Sequence, residues 1–134
     1  MKDDRYNTSK LIVLLIAKEL AKSMDERGNN PIVLNAPNPG LCKTELFRSV
    51  RFPVSWVLGL GLALIGRTCE MGSRTLLAAA TAGKESHGKY MDACKVGKES
   101  QFSTSDEGAK TQKRVYAELM TILEGIEPGI TNNI

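Results

Sequence analysis

Metal-binding and disulfide chemistry have little to work with in this chain. Its 134 residues include one histidine, His87, and three cysteines, Cys42, Cys69 and Cys94, far apart and odd in number. Without metal-ligand spacing they argue against a zinc site or a disulfide framework, and reduced thiols in a cytoplasmic setting are the expectation. A charge of one sign is lacking as well. The 18 Lys+Arg against 15 Asp+Glu leave a net +3, mixed along the chain with no long basic run, so charge does not suggest nucleic acid as a partner. Long apolar runs are missing too: the longest, VSWVLGLGLALIG at 54–66, is broken by three glycines and is short for a membrane span. A soluble protein with no transmembrane segment is expected, with a peripheral membrane contact through 54–66 left open. The N-terminal MKDDRYNTSK places acids before any apolar run, unlike a secretory signal. There is no internal repeat, and the length suits one domain with a modest core.

What is present reads as alternating helix and strand. Residues 6–24 are strong helix formers, and LIVLLIA at 11–17 is apolar nearly all the way round, so that helix expects cover on more than one face. DERGNN at 25–30 is a turn with Gly28 placed for a helix C-terminus. PIVLNAP at 31–37, short and β-branched between turn signals, reads as a buried strand ending near Asn35. Helix then buried strand is half of an α/β unit, which implies a parallel sheet. Helical pieces follow at 44–50, at 54–66 and at 68–82, the last stopped by Gly83, and GKYMDACKV at 88–96 is a second strand. Thr104 and Glu107 form a capping box before a final amphipathic helix. Val115, Leu119, Ile122, Leu123 and Ile126 make its core stripe, and Pro128-Gly129 ends it.

Within YNTSK at 6–10, Tyr6 and Lys10 lie four apart, one turn of helix from each other on the same face. An ammonium so placed favours a phenolate. Taken alone the pair is common by chance, and a packed Tyr beside a solvated Lys is the ordinary outcome. His87 beside Gly88 reads as a surface turn residue. Cys42 is either a reactive thiol or, more commonly, a small buried hydrophobe.

The order of the pieces is more specific than any one of them. YNTSK, then PIVLNAP, then PGLCKTEL resembles the C-terminal half of a short-chain dehydrogenase/reductase, nearest to the retinol-dehydrogenase-like and fungal short-chain reductases. GSRTLLAAA, HGKYMDACKV and EGAKTQKRVYAEL find counterparts downstream, so the resemblance covers nearly the whole chain and about half of the family's usual domain. It implies an α/β fold: the C-terminal part of a Rossmann-like, doubly wound domain, mostly helical with one or two parallel strands.

The resemblance also assigns roles. Tyr6 becomes the general acid/base for a carbonyl or hydroxyl oxygen. A free phenol, with a pKa of about 10, needs help to act near neutrality, and Lys10 supplies it while bonding the nicotinamide ribose. Pro39 and Gly40 form the loop passing the nicotinamide, and Thr44 bonds the carboxamide. Tyr6, Lys10, Pro39, Gly40 and Thr44 are thus the implied cofactor contacts. The implied cofactor is NADP or NAD, with NADP favoured, and the substrate is a moderately apolar carbonyl or alcohol. Trp56 and Phe47 fall in the segment that covers substrate, where packing of the lid is preferred over substrate contact.

The family's glycine-rich phosphate turn, its cofactor-selecting residue, its Asn-Ala-Gly segment and its catalytic serine have no counterpart in 1–134. Gly59 and Gly61 mimic a phosphate loop, but Leu64 stands where a third glycine would, and they read as helix-packing glycines. The chain is expected to be a partial domain whose dinucleotide-binding half is absent, with little turnover of its own. The alternative to an enzyme is therefore an inactive truncated relative, an interaction partner of a full-length homologue. A homo-oligomer through helix 6–24 is a further expectation.

Overall fold

Helix α1 runs from Asp3 to Glu26, somewhat longer than the sequence suggests at both ends. Its stop is chemical: Gly28 takes φ +78°, a left-handed conformation that glycine adopts without a Cβ penalty, and its N–H bonds the Asp25 carbonyl at 3.1 Å. The computed structural model describes residues 3–28, 31–44, 59, 61 and 63–133.

The strand expected at 31–37 is displaced: β1 is Ala36–Asn38. Side chains take up the backbone and polar groups before it. His87 Nδ1 accepts from Leu34 N–H at 3.1 Å, and Asn35 donates to Ala79 O at 2.9 Å and to Ser86 Oγ at 3.0 Å. The segment 88–96 is not one strand but two, β2 (Tyr90–Asp92) and β3 (Lys95–Val96). Between them Ala93 at φ +46° and Cys94 at φ +69° turn the chain in two residues, the positive-φ pair that matches strand twist. The sheet order is β1-β2-β3, with β1 and β2 parallel and β2 and β3 antiparallel.

Helix α2, Cys69–Thr81, crosses between the two parallel strands. Thr68 caps it by accepting from Met71 N–H at 3.2 Å. Its buried face carries Gly72, Thr75 and Ala79, small residues that let the helix approach β1 and the loop beyond it. A Cβ at Gly72 would meet Cys42 Sγ at 2.5 Å. Leu76 and Leu77 point the other way and are exposed. Gly83 directly follows Ala82, the cap of α2, but without the left-handed conformation of a glycine stop. Gly83 has φ −78° and opens a short 3-10 turn, Lys84–Ser86.

Helix α3, Asp106–Ile126, packs along α1. Its cap is Ser105, whose Oγ accepts from Gly108 N–H at 3.1 Å, one residue later than the expected Thr104 box. Thr104 Oγ1 instead donates backward to Ser100 O and Gln101 O. Leu15 (1% exposed) and Ala21 (2%) form the centre of the α1 side. Lys18 donates to Glu99 at 2.6 Å and Gln112 to Glu19 at 2.6 Å, fixing the register of α1 against α3 and the loop before it. The expected core stripe on α3 holds in part. Val115, Leu119 and Leu123 are half-buried, whereas Ile122 (59%) and Ile126 (72%) face outward, since α1 covers one side of α3 only.

The C-terminal turn is held by charge. Glu124 accepts from the Thr131 hydroxyl, from Gly129 N–H at 2.7 Å and from Thr131 N–H at 3.0 Å. Arg27 donates to Asn132 O at 2.9 Å. The three bonds to Glu124, the Thr131 hydroxyl first, hold its carboxyl below its ordinary value of 4.5. A lowered folded value means the stabilisation is complete above the unfolded value and is lost as pH falls through the folded one. Acidification below the ordinary carboxylate range is therefore expected to loosen Ile130–Asn133 before the helices melt. Lower protection of the Gly129 and Thr131 amides relative to their intrinsic exchange rate at the same pH, matched at neutral pH by Glu124→Gln, is the readout.

Residues 45–58, 60 and 62 lie outside the described residues, and with them Phe47, Trp56 and most of the expected helix at 44–50. Residues 59, 61 and 63–65 are helical. Among the described residues, no helix is long and apolar enough to cross a membrane.

Candidate active site

Parallel strands with crossover helices bind ligands beyond their carboxyl ends, and here that edge is built by Asn38 and Asp92, which are paired in register. Asn38 fastens the edge in three directions. Its Oδ1 accepts from Gly40 N–H at 3.0 Å, and its Nδ2 donates to Tyr90 OH at 2.7 Å and to Asp92 Oδ1 at 3.3 Å. The Pro39–Gly40 turn that follows has Gly40 at φ +75°, a conformation strained for any residue with a Cβ. Cys42 pairs with Arg67 in a single parallel bridge. The Cys42 thiol is half-buried and donates to Pro39 O at 3.5 Å, the small-hydrophobe role rather than a displayed nucleophile. Thr44 is exposed at the end of this loop, with its N–H on Cys42 O at 2.8 Å.

At the other position singled out by sequence, α1 brings Tyr6 and Lys10 together. Both are exposed, Tyr6 by 55%, and the Lys10 ammonium stands 5.5 Å from the centre of the Tyr6 ring, within cation–π range. Ser9 Oγ donates to Tyr6 O at 2.7 Å, a local helix bond. Among the described residues the Tyr6 hydroxyl has no hydrogen-bond partner, so it is available to a ligand oxygen. The sequence pairs are thus two groups: Tyr6 with Lys10 on α1, and Pro39, Gly40 and Thr44 on the loop after β1.

An exposed phenol and ammonium at Tyr6 and Lys10 and a backbone turn at Pro39–Gly40 are the kinds of group that the nicotinamide end of a dinucleotide uses. The side of Gly40 where a Cβ would stand is taken by the Arg67 guanidinium at 3.2 Å. These groups offer nothing for the pyrophosphate. Gly59 and Gly61 are helical rather than a turn, and among the described residues nothing lies within 4 Å of a Cβ placed at either. A recess of about 370 Å³ lined by Ser23, Glu26, Arg27, Tyr116, Met120 and Thr131 sits near the C-terminal end of α1, roughly 25 Å along the helix from Tyr6 at 1.5 Å per residue.

Sequence reasoning misplaced His87. It is not a surface turn residue: its side chain is 6% exposed, with Nδ1 accepting from Leu34 N–H at 3.1 Å and Nε2 at 3.0 Å from Ala21 O. With Nδ1 an acceptor, the ring is the neutral Nε2–H tautomer and donates to Ala21 O. The bond ties the end of α1 to the entry of β1 and so sets the helix against the sheet. A signal was available in Gly88, at φ +69° with Ala21 Cβ 3.2 Å from its missing Cβ. His87→Ala leaves the part-buried Leu34 N–H without its partner and removes the tie to Ala21 O, and is expected to cost about 1–3 kcal/mol in urea unfolding.

Among the described residues, no cluster of three or more His, Cys, Asp or Glu is arranged to hold a metal ion. Cys42, Cys69 and Cys94 are all free thiols.

Comparison with known proteins agrees with the order of motifs. The chain is 42% identical over 131 residues to the short chain dehydrogenase/reductase dmxR8 of Cryptosporiopsis sp., covering 98% of this chain and 39% of that protein. It is 37% identical over 132 residues to the short-chain dehydrogenase anuD of Penicillium roqueforti, covering 95% and 35%. It is 34% identical over 127 residues to the short chain dehydrogenase FGM9 of Gibberella zeae, covering 95% and 37%. No protein-family model matches the chain, and no solved structure matches it. The chain therefore spans well under half the length of the curated relatives it matches, while nearly all of its own length is accounted for by them. On this evidence the chain belongs to the short-chain dehydrogenase/reductase family.

Proposed function

We propose that the protein is an NAD(P)-dependent oxidoreductase interconverting a carbonyl and an alcohol on a moderately apolar small molecule in the cytoplasm, with NADP the favoured cofactor. Residues 1–134 supply the acid/base helix, the nicotinamide-side loop, the substrate-covering segment and the C-terminal helix of the dehydrogenase domain. The observation that carries this reading is the exposed pairing of Tyr6 and Lys10, one helical turn apart with the ammonium 5.5 Å from the ring centre.

In this reading Tyr6 gives its proton to the substrate oxygen during reduction and recovers it from the hydroxyl during oxidation. Lys10 offsets the negative charge that the phenolic oxygen then carries and bonds the cofactor ribose. Pro39 and Gly40 present backbone to the nicotinamide, and Thr44 bonds the carboxamide. The nicotinamide, when bound, supplies or accepts the hydride. The protein's share is position and proton transfer.

Titration of the purified chain with NADPH and NADH, followed by nicotinamide fluorescence, tests the reading. Saturable binding with NADPH tighter is expected. Absence of binding by a discrete, folded chain would transfer this product to the second reading, an inactive partner of a longer relative. That second reading draws on the apolar face left open on α1, where Ile12 is 38% and Val13 59% exposed. Pairing of two copies through α1 would cover the same face, and sedimentation distinguishes a monomer from a homodimer.

A further inference from the structure

Arg67 immediately precedes the cap of α2, and its main chain is stitched to the loop after β1. Its N–H donates to Leu41 O at 2.8 Å, and its carbonyl accepts from Lys43 N–H at 2.9 Å. The side chain turns onto the same loop. Nη1 donates to Pro39 O at 3.3 Å, and Nη1, Cζ and Nε lie 3.2, 3.4 and 3.5 Å from the point where a Cβ would stand on Gly40. The glycine thus serves two ends: its backbone reaches φ +75°, and its bare face receives a guanidinium.

Burying part of a cation without an acid costs desolvation energy, and among the described residues Arg67 has no carboxylate partner. Its flat, forked group is used for shape, lying along the turn while Asn38 holds the other side through Gly40 N–H. We infer that Arg67 is a positioning residue that fixes the Pro39–Gly40 turn for the cofactor's nicotinamide end. The inference rests on the reading above that this turn passes the nicotinamide.

The test compares the wild-type chain with Arg67→Gln and Arg67→Lys by amide hydrogen exchange and by NADPH titration. Arg67→Gln is expected to speed exchange at Gly40 and Lys43 about tenfold, the size of one lost hydrogen bond to a charged group, while the amides of α1 and α3 keep their protection. NADPH affinity should fall by a similar factor. Arg67→Lys should behave like the glutamine variant, since a point charge on a flexible stem does not reproduce the flat contact.

Unchanged exchange at Gly40 overturns the inference, as does faster exchange with unaltered NADPH affinity. Full recovery by Arg67→Lys overturns it as well, because charge rather than shape would then be what matters. Failure of the wild-type chain to bind NADPH is a distinct result. It counts against the oxidoreductase reading, and the exchange data alone then decide whether Arg67 holds the turn.

Discussion

Tyr6→Phe is expected to lower kcat on a carbonyl substrate by about 10²–10⁴-fold, the range a positioned acid/base contributes, in full-length protein that carries this segment. Affinity for NADPH should stay near that of the wild type. The substitution is clean for structural reasons. Tyr6 is 55% exposed and its hydroxyl bonds nothing among the described residues, so removing that one oxygen leaves no unpaired group behind. The ring remains, and with it the contact to the Lys10 ammonium at 5.5 Å. Any loss of turnover therefore reports the phenolic oxygen itself. Lys10→Ala should differ in kind, weakening both turnover and cofactor binding, because the ammonium is assigned to both. Steady-state kinetics with a fluorescence titration separate the two patterns. Tyr6→Phe with near-normal turnover would remove Tyr6 from the chemistry, whatever family the chain belongs to.

Local chemistry was legible where one residue type dictates the backbone. Gly28 ends α1 because a left-handed residue was needed there, and the turn at DERGNN says so in the sequence. The parallel pairing of β1 with β2 follows from a strand, a helical crossover and a second strand, which sequence order alone makes plausible. What escaped were features decided by partners distant in sequence. The apolar run at 31–35 has strand composition, yet His87 and the Asn35 network occupy its polar groups, so the ladder begins only at Ala36. Ala93 and Cys94 do not look like turn residues, and their positive φ is imposed by pairing Asp92 with Lys95. Ile122 and Ile126 complete an apolar stripe by spacing, but a stripe shows which face is apolar and not whether anything covers it.

The candidate site divides along the same line. Tyr6 with Lys10 is a one-turn relation and can be read from spacing. Pro39, Gly40 and Thr44 were reached through resemblance, and the side chains that hold their loop, Asn38, Tyr90 and Arg67, come from three separate segments of the chain. No local pattern marks Arg67. Only the folded chain places its guanidinium against Gly40.

Gly108→Ala tests the clearest conflict between local preference and packing. Helix propensity alone favours the change, since alanine in a helix is better than glycine by about 1 kcal/mol. The surroundings of Gly108 oppose it. A Cβ there would stand 1.9 Å from the Phe102 carbonyl oxygen, 2.9 Å from the Phe102 carbonyl carbon and 3.2 Å from Ser103 Cα. These are backbone atoms and have no rotamer to move. Ser105 Oγ also donates to Phe102 O at 2.8 Å while accepting from Gly108 N–H at 3.1 Å, so retreat of the Phe102 carbonyl breaks the bonds that start α3. Overpacking of about 1–3 kcal/mol and loss of a cap worth about 1 kcal/mol therefore act together against the propensity gain. A net destabilisation of about 1–3 kcal/mol is expected from these contributions, seen as a lower urea midpoint with an unchanged slope. Ser105→Ala, which removes the cap without adding a Cβ at 108, should cost about 1 kcal/mol and so isolates the steric part. If Gly108→Ala instead raises the midpoint, the close approach of 102–103 to the first turn of α3 does not exist in solution, and Lys18, which donates to Ser103 O at 3.1 Å, would lose its anchor there as well.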